Sequence, residues 1–222
     1  MYLVKPSIEM LWITPDPLET IEKAGRTCYK SEDKITDKSA EIFVSTLLQR
    51  GHHAMIEHAS ASYRVICDRG VTHEIVRHRL FSYAQESTRY CDYAGGVTFI
   101  IPPWTPDIIP GECCFSKTTS GIELIYTQTL PELTPSSLCL LHFLKGLEEK
   151  YQWLREQYSW TPQQARAVLP NCLKTEIVIT GNLREWMHFF KLRTATAAHP
   201  QMQEVANMLL ADIRTRIPVI FD

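Results

Sequence analysis

Two stretches of the chain alternate between apolar and polar side chains, with the period of two that is typical of a half-buried strand. In residues 60–67 the apolar side chains share one face, and they are Ala61, Tyr63, Val65 and Cys67. Residues 173–180 alternate in the same way. The pattern therefore predicts one strand at each of these two places.

Helices are predicted at two places in the first quarter of the chain. Residues 16–29 open with Asp16, Pro17 and Glu19, and an N-cap followed by a first-turn proline and an acid favours a helix start. This order predicts that Asp16 caps the helix. A second helix is predicted after Thr36, and its apolar side consists of Ile42, Phe43, Leu47 and Leu48.

Helical spacing and capping signals recur in the second half of the chain. Apolar side chains spaced by three and four predict a long helix over about 136–158. Thr161 begins a capping box for a short helix that ends before Pro170, and Asn182 is of the N-cap type that opens the next helix. A last helix is predicted over about 201–214.

The remaining segments set the predicted topology. Residues 102–120 contain four prolines among Ser, Thr and Gly, which indicates a surface connection. A short helix is predicted from Gly70 to Arg77, directly before a structured loop. Helices and strands follow each other without a regular βαβ rhythm. We therefore expect an α+β fold, with a mixed, largely antiparallel sheet packed with several helices in a single domain over residues 1–222.

Composition narrows the function classes. The 222 residues carry a formal net charge of −2, which argues against a general nucleic-acid binder. No apolar run approaches the ~20 residues that cross a bilayer, and the N-terminus lacks the profile of a signal peptide. Seven cysteines without a C-x-x-C pair favour free thiols in a reducing compartment. We expect a cytoplasmic protein with no nucleic-acid or membrane partner.

The strongest chemical signal is a local basic cluster over residues 77–90. It contains two tyrosines, two serines and a histidine besides its three arginines, Arg77, Arg79 and Arg89. A guanidinium group is planar, permanently charged and suited to bidentate contact with phosphate. Because arginines this close repel each other, an anionic ligand is the simplest reason for the cluster, although an exposed basic turn is also compatible with it.

The same segment reads R-H-R, seven further residues, then Ser, any residue, Arg and Tyr. This pattern resembles the signature of the flavin-dependent thymidylate synthases. Two other blocks, near 51–58 and 165–204, are similar to segments of that family in order and spacing. The resemblance implies an enzyme that converts dUMP to dTMP, with methylenetetrahydrofolate as carbon donor and NADPH supplying reducing equivalents through FAD. It also implies a homotetramer whose active sites are shared between subunits, and a reaction without an enzyme nucleophile.

The resemblance implies roles for individual positions. The contacts implied for dUMP are Glu74, Arg77, Gln85, Glu86, Ser87, Arg89, Arg166 and Arg193. The contacts implied for FAD are His52, Glu57, Arg77, His78, Arg79, Asn182, Arg184 and His188. Ser87 and Arg193 are the catalytic candidates, Ser87 as a hydrogen-bond donor to the phosphate and Arg193 as a cation where negative charge builds up on the pyrimidine. No metal site is expected.

Four positions depart from the family pattern or match it weakly. Ala84 replaces a frequent asparagine, His73 precedes the signature where arginine is frequent, and Ala54 stands where some relatives carry a hydroxyl residue. His188 occupies a position at which relatives often carry a different polar residue. These differences concern individual contacts and leave Ser87 and the arginines of the signature in place.

The residues themselves also allow a binding module. In this interpretation the arginines of the segment Arg77–Tyr90 contact a nucleic-acid backbone, and Tyr83 and Tyr90 are stacking platforms for bases. Three further alternatives concern single features. Residues 52–58 are rich enough in histidine for a metal-dependent phosphohydrolase, although H-E-x-x-H spacing is absent. Cys91 could be a nucleophile toward the pyrimidine. Asn182 could be a plain N-cap of an amphipathic helix.

Overall fold

The structure, a computed structural model, describes residues 1–118, 121–126 and 132–222, and it describes the backbone alone for 114–118 and 121–126. The last two residues of the expected surface connection, 119 and 120, lie outside the described residues. The strands in chain order are β1 Tyr2–Val4, β2 Ser7–Ile13, β3 Ser60–Asp68, β4 Ser82–Gln85, β5 Thr98–Ile100, β6 Gly111–Thr118, β7 Gly121–Tyr126 and β8 Lys174–Asn182.

The helices range in length from about one turn to about six turns. In chain order they are α1 Pro17–Thr27, α2 Ser39–Gln49, α3 Arg69–Ile75, α4 Pro135–Gln157, α5 Pro162–Ala165, α6 Leu183–Arg193, α7 Pro200–Arg216 and α8 Pro218–Phe221. Short 3₁₀ turns occupy Glu32–Lys34, His53–His58 and Arg166–Val168. No helix in the described ranges is both long and apolar enough to cross a membrane.

The chain forms two compact units, and each unit is assembled from three separated segments. The first consists of Met1–Pro6, Ile66–His73 and Gln85–Glu176. The second consists of Ser7–Val65, Glu74–Ala84 and Ile177–Asp222. The chain passes repeatedly from one unit to the other, so no single point in the sequence separates them. The single domain expected over residues 1–222 stays a prediction.

The first unit is built on a mixed four-stranded sheet in the order β5-β1-β6-β7. β1 runs parallel to β5, with Leu3 opposite Phe99, and antiparallel to β6. Leu3 and Phe99 belong to a buried cluster that also takes in Leu141 and Leu144 from α4. The predicted helix over 136–158 is confirmed by α4, whose inward face supplies this core.

The second unit contains most of the sheet β2-β3-β8-β4 and most of the helices. Its centre is aromatic, because Tyr63 and Trp186 are fully buried and meet edge to face with ring centroids 5.4 Å apart. Their polar atoms are satisfied: the Tyr63 hydroxyl donates to Asp212 at 2.8 Å and the Trp186 indole N–H donates to the Ala61 carbonyl at 3.2 Å. This core supports α6, which carries several of the expected site residues.

The main sequence predictions for the fold are confirmed. The strands expected at 60–67 and 173–180 are β3 and β8, and the helices expected near 201–214 and after Asn182 are α7 and α6. The α+β class is confirmed as well, since helices and a sheet with both parallel and antiparallel pairs are present.

Four local predictions are wrong. Residues 102–120 are not only a connection, because residues 111–118 form β6 and Ile108 is buried in the core of the first unit. The structured loop expected after α3 contains β4 instead. Asp16 does not cap α1 with its side chain, because its backbone is left-handed with φ of 44°. In α2 the buried residues are Val44 and Leu47, whereas Ile42 is 72% exposed.

Candidate active site

The signature in the second unit begins with a tight turn that follows α3. The His78 N–H donates to the Ile75 carbonyl at 3.1 Å. The Tyr83 hydroxyl lies 2.7 Å from the carbonyl oxygens of both Ile75 and His78, so it holds the turn from inside. In this turn His78 is buried while Arg77 and Arg79 are exposed. The R-H-R pattern therefore exposes two cations on either side of one packed histidine.

An aromatic anchor fixes the end of this turn. The Phe81 ring lies 4.6 Å from the Trp186 ring and 6.1 Å from the His78 ring, centroid to centroid. Phe81 can pack there because residue 181 is glycine: a Cβ at Gly181 would lie 2.0 Å from Phe81 Cδ1. Phe81 thus connects the signature to the core, although the motif does not specify the residue at this position.

His78 is a neutral hydrogen-bonding group rather than a cation. Burial lowers the pKa of His78 to about 4, and the Arg193 guanidinium and His188 act in the same direction. Its Nε2 accepts a hydrogen bond from Arg193 Nε at 3.0 Å, and its Nδ1 lies 3.4 Å from Glu185 Oε1. Burial also raises the pKa of Glu185.

Arg193 is held by three hydrogen bonds at the end of α6. Besides the bond to His78, Arg193 Nη1 donates to Glu74 Oε2 at 2.8 Å and Nη2 donates to the Glu74 carbonyl at 3.1 Å. Arg77, Arg79 and Arg193 line one cavity of about 370 Å³, together with His78 and His188. The structure therefore brings together residues expected at dUMP and residues expected at FAD.

The other residues expected at FAD lie elsewhere in the second unit. Glu57 and Arg184 form an exposed ion pair with each other. His52 lines a different cavity, of about 660 Å³, which is bordered by Phe43. Asn182 Oδ1 accepts from the Glu185 N–H at 2.8 Å, so the N-cap interpretation of Asn182 is confirmed.

In the first unit, a turn after β4 gathers three of the residues expected at dUMP. Ser87 Oγ accepts from the Arg89 N–H at 3.3 Å, which leaves the serine O–H as a donor. Arg166 Nη1 donates to the Thr88 hydroxyl at 3.1 Å, and Thr88 is buried. Arg89 Nε lies 3.4 Å from Gln163 Oε1. Ser87, Arg89 and Arg166 thus meet around one turn, with two guanidinium groups on exposed residues.

Two residues expected at dUMP make bonds within the first unit. Glu86 accepts from Lys174 Nζ at 3.0 Å and from the Tyr93 hydroxyl at 2.7 Å. Gln85 Nε2 donates to the Thr72 hydroxyl at 3.0 Å. These contacts fix the strand that leads into the phosphate turn, and a direct contact of Glu86 or Gln85 with dUMP stays a prediction.

The features behind the alternative functions have specific surroundings. Tyr83 is half-buried with its hydroxyl anchored, so of the two expected stacking platforms Tyr90 is the exposed one, at 77%. Cys91 is half-buried, and its N–H donates to the Ser87 carbonyl at 2.9 Å. Within the described residues, no group of three His, Cys, Asp or Glu side chains is placed to hold a metal ion.

Comparison with known proteins identifies the family. The family described as "Thymidylate synthase complementing protein" matches residues 9–219. The chain belongs to this family. A flavin-dependent thymidylate synthase of Mycolicibacterium gilvum is 33% identical over 204 residues, which cover 90% of this chain and 77% of that protein. A flavin-dependent thymidylate synthase of Corynebacterium efficiens is 32% identical over 209 residues, with coverage of 90% and 77%.

A solved structure has the same fold as this chain. It is the UMP/dUMP methylase PolB of Streptomyces cacaoi, bound with 5-Br dUMP, which matches with a TM-score of 0.75 and 24% identity over 100% of this chain and 95% of that one. The family match and the relatives that are 33% and 32% identical confirm the resemblance inferred from the signature, and the chain is an enzyme of this family.

Motif reasoning missed several side chains that shape the site of this family member. The residues that position the expected site groups, inside the signature and beyond it, are Tyr83, Thr88, Tyr93, Lys174, Gly181 and Glu185. Only Glu185 left a signal, because an acid three residues after the N-cap Asn182 usually belongs to a capping box.

Proposed function

We propose that this enzyme methylates carbon 5 of dUMP to give dTMP, with methylenetetrahydrofolate as the carbon donor and with FAD that is reduced by NADPH. The observation that carries the proposal is the cavity lined by Arg77, Arg79 and Arg193 around a neutral His78, in a member of this family. Three permanent cations that line one small cavity suit the diphosphate of FAD and a reaction in which negative charge develops on the pyrimidine.

The phosphate of dUMP would bind at the turn in the first unit. Ser87 offers an O–H donor, and Arg89 and Arg166, from two parts of the first unit that are distant in sequence, offer charge-assisted N–H donors. Bonds of this kind to a dianionic phosphate are about twice as strong as neutral ones. Ser87 is thus a phosphate ligand rather than a nucleophile, since its described partners include no general base.

Arg193 would stabilise the pyrimidine as it gains negative charge. Its guanidinium is oriented before substrate arrives, by Glu74 at one end and His78 at the other. Donors that are already in place need no reorganisation during the reaction, which is the main source of electrostatic catalysis. The proton on carbon 5 leaves, and the one-carbon unit from the folate takes its place.

The donor groups of the second unit fit FAD, which carries a diphosphate and a polar ring. Arg77 and Arg79 offer exposed guanidinium groups to the diphosphate. The Asn182 Oδ1 is used by the helix cap, so the amide NH₂ is the part of this side chain that donates to a flavin. When bound, reduced FAD supplies the hydride that completes the methyl group.

The expected homotetramer with shared active sites belongs to the same proposal. The implied dUMP and FAD contacts are spread over several separate segments of the chain, so one subunit need not complete a site alone. Light scattering of the FAD-loaded protein is expected to give four times the chain mass of 25.6 kDa. A monodisperse monomer with bound flavin would contradict this assembly.

A product assay with omissions tests the proposed reaction. The purified protein is incubated with FAD, NADPH, methylenetetrahydrofolate and dUMP, and dTMP is quantified by chromatography. We expect dTMP only when all four are present, and no product when deoxyuridine replaces dUMP at the same concentration. Absence of dTMP from flavin-loaded protein, or equal yield without flavin, would overturn the proposal.

A further inference from the structure

Glu185 is a buried carboxylate whose place in the helix does not explain where it points. It is the third residue of α6, 6% exposed, and its N–H is bonded to the N-cap Asn182. A glutamate at this position usually folds back to the N-cap backbone N–H in a capping box. Here Glu185 Oε1 instead faces His78 Nδ1 at 3.4 Å. A buried carboxylate needs partners, so this orientation calls for a role at the histidine.

The hydrogen bonds determine which nitrogen of His78 carries the proton. Arg193 Nε can only donate, so His78 Nε2, at 3.0 Å, must accept with its lone pair. A neutral imidazole has one N–H, which is then on Nδ1, the ring nitrogen that lies 3.4 Å from Glu185 Oε1. The tautomer of His78 and the position of Arg193 are therefore linked.

We propose that Glu185 is a positioning residue that holds His78 in its Nδ1–H tautomer, so that His78 Nε2 fixes the Arg193 guanidinium in the cavity. The inference about catalysis rests on the proposed function of Arg193. Glu185 acts through His78, in the way that a carboxylate orients a metal-ligating histidine in many enzyme sites. It is not itself in contact with the pyrimidine in this proposal.

Two charged groups lie against the ring nitrogens of His78: Arg193, which donates to Nε2, and Glu185, whose Oε1 lies 3.4 Å from Nδ1. The rings of Phe81, Phe189 and His188 pack against it, with centroids 5.0 to 6.1 Å away. The Tyr83 hydroxyl bonds its carbonyl rather than its ring. These packed rings leave the imidazole of His78 little room to turn over. A change of the proton at Nδ1 therefore also changes the hydrogen bond at Nε2.

Nitrogen NMR of ring-labelled histidine tests the tautomer without any activity. In the wild-type protein we expect His78, assigned with His78→Asn, to show a protonated Nδ1 and an unprotonated Nε2 at neutral pH. Glu185→Leu removes the acceptor, and we expect the His78 proton to move to Nε2. Glu185→Gln retains an acceptor oxygen, and we expect the wild-type tautomer. A wild-type His78 that is protonated on Nε2 would overturn the proposal, even if Glu185→Leu fails to fold.

Kinetics test the consequence for Arg193. We expect Glu185→Leu to lower kcat/KM for dUMP by about 10- to 100-fold, the range for loss of an orienting partner, and Glu185→Gln to stay within about 3-fold of wild type. Equal losses in Glu185→Gln and Glu185→Leu would refute positioning through a hydrogen bond. Glu148→Leu, which removes a buried carboxylate from the first unit, controls for general destabilisation and should leave the His78 signals unchanged. If the wild-type protein makes no dTMP, the proposed function fails, while the tautomer measurement still decides this inference.

Discussion

Arg193 and His78, 115 residues apart in the chain, are joined by a hydrogen bond of 3.0 Å in which the arginine Nε donates to the histidine Nε2. The bond connects the last turn of α6 to the turn after α3. It works only while His78 is neutral, and burial ensures this by lowering the pKa of His78 to about 4. A cation in the cavity is thus oriented by an uncharged partner.

Replacement of Arg193 by lysine is expected to lower kcat by about 10²-fold, comparable with the loss of one oxyanion donor. Lysine keeps the charge but lacks the fork that reaches His78 and Glu74 together. Steady-state dTMP formation measures the effect. Arg214→Lys is the matched control, because Arg214 pairs with Asp222 at the surface of the same unit. Unchanged turnover in Arg193→Lys would remove Arg193 from the catalytic role.

Replacement of Arg166 by glutamine is expected to raise KM for dUMP by about 10- to 100-fold, the cost of one charge-assisted bond of about 1.5–3 kcal/mol. Glutamine can still donate to the Thr88 hydroxyl, so the turn itself should remain. Binding of deoxyuridine, which has no phosphate, should be equally weak in wild type and variant. If the variant weakened the nucleoside as much as the nucleotide, Arg166 would not be a phosphate ligand.

Replacement of Cys91 by alanine is expected to leave kcat within about 3-fold of wild type, since the proposed reaction uses no enzyme nucleophile. The Cys91 N–H, which bonds the Ser87 carbonyl, is unaffected by the side chain. Mass spectrometry of the denatured reaction mixture should show no nucleotide adduct. Loss of turnover in Cys91→Ala together with normal turnover in Arg193→Ala would reverse the assignment.

Replacement of Gly181 by alanine is expected to destabilise the protein by about 1–3 kcal/mol, the usual cost of overpacking. The new methyl group would displace the Phe81 ring, which anchors the signature turn, so FAD affinity should fall as well. Urea denaturation and flavin titration measure the two effects. Gly146→Ala is the control, because Gly146 lies within α4 with nothing within 4 Å of a Cβ, and it should be neutral or stabilising.

The stability of the protein is expected to depend on His78 between pH 6.5 and about 4. In this window the unfolded chain binds a proton near its ordinary pKa of 6.5 that native His78 does not accept until about 4, so the free energy of unfolding falls as pH falls. The His78 contribution is about 2 kcal/mol between pH 6.5 and 5, and the raised pKa of Glu185 offsets part of the loss. Urea denaturation at both pH values should show a flatter dependence for His78→Asn, and equal slopes would contradict the account.

Local periodicity predicted where strands such as β3 lie, but it did not predict every buried position within them. The alternation in β3 identified Ala61 and Tyr63 as buried, but it placed Ser62 on the polar face. Ser62 is buried too, because its hydroxyl is 2.8 Å from the Thr180 hydroxyl. A pattern of polar and apolar letters cannot distinguish a solvated hydroxyl from one that is paired across a sheet.

The signature predicted which residues bear charge, whereas the residues that position them were found only in three dimensions. Arg166 was expected at dUMP, but Thr88, which holds it, lies 78 residues away in the sequence. Glu185 was part of an apparently ordinary helix start. β6 was missed for a similar reason, since its antiparallel pairing of Glu112 with Tyr2 joins distant segments.

An anaerobic measurement of flavin absorbance tests whether the reducing equivalents held on FAD pass to dUMP that has received the one-carbon unit of the folate. The protein is loaded with FAD, reduced with NADPH and mixed rapidly with methylenetetrahydrofolate, with and without dUMP, while flavin absorbance is followed. The account predicts that the oxidised spectrum returns only with dUMP, in proportion to the dTMP formed. Return of the oxidised spectrum at the same rate without dUMP, or dTMP formed while the flavin stays reduced, would contradict it.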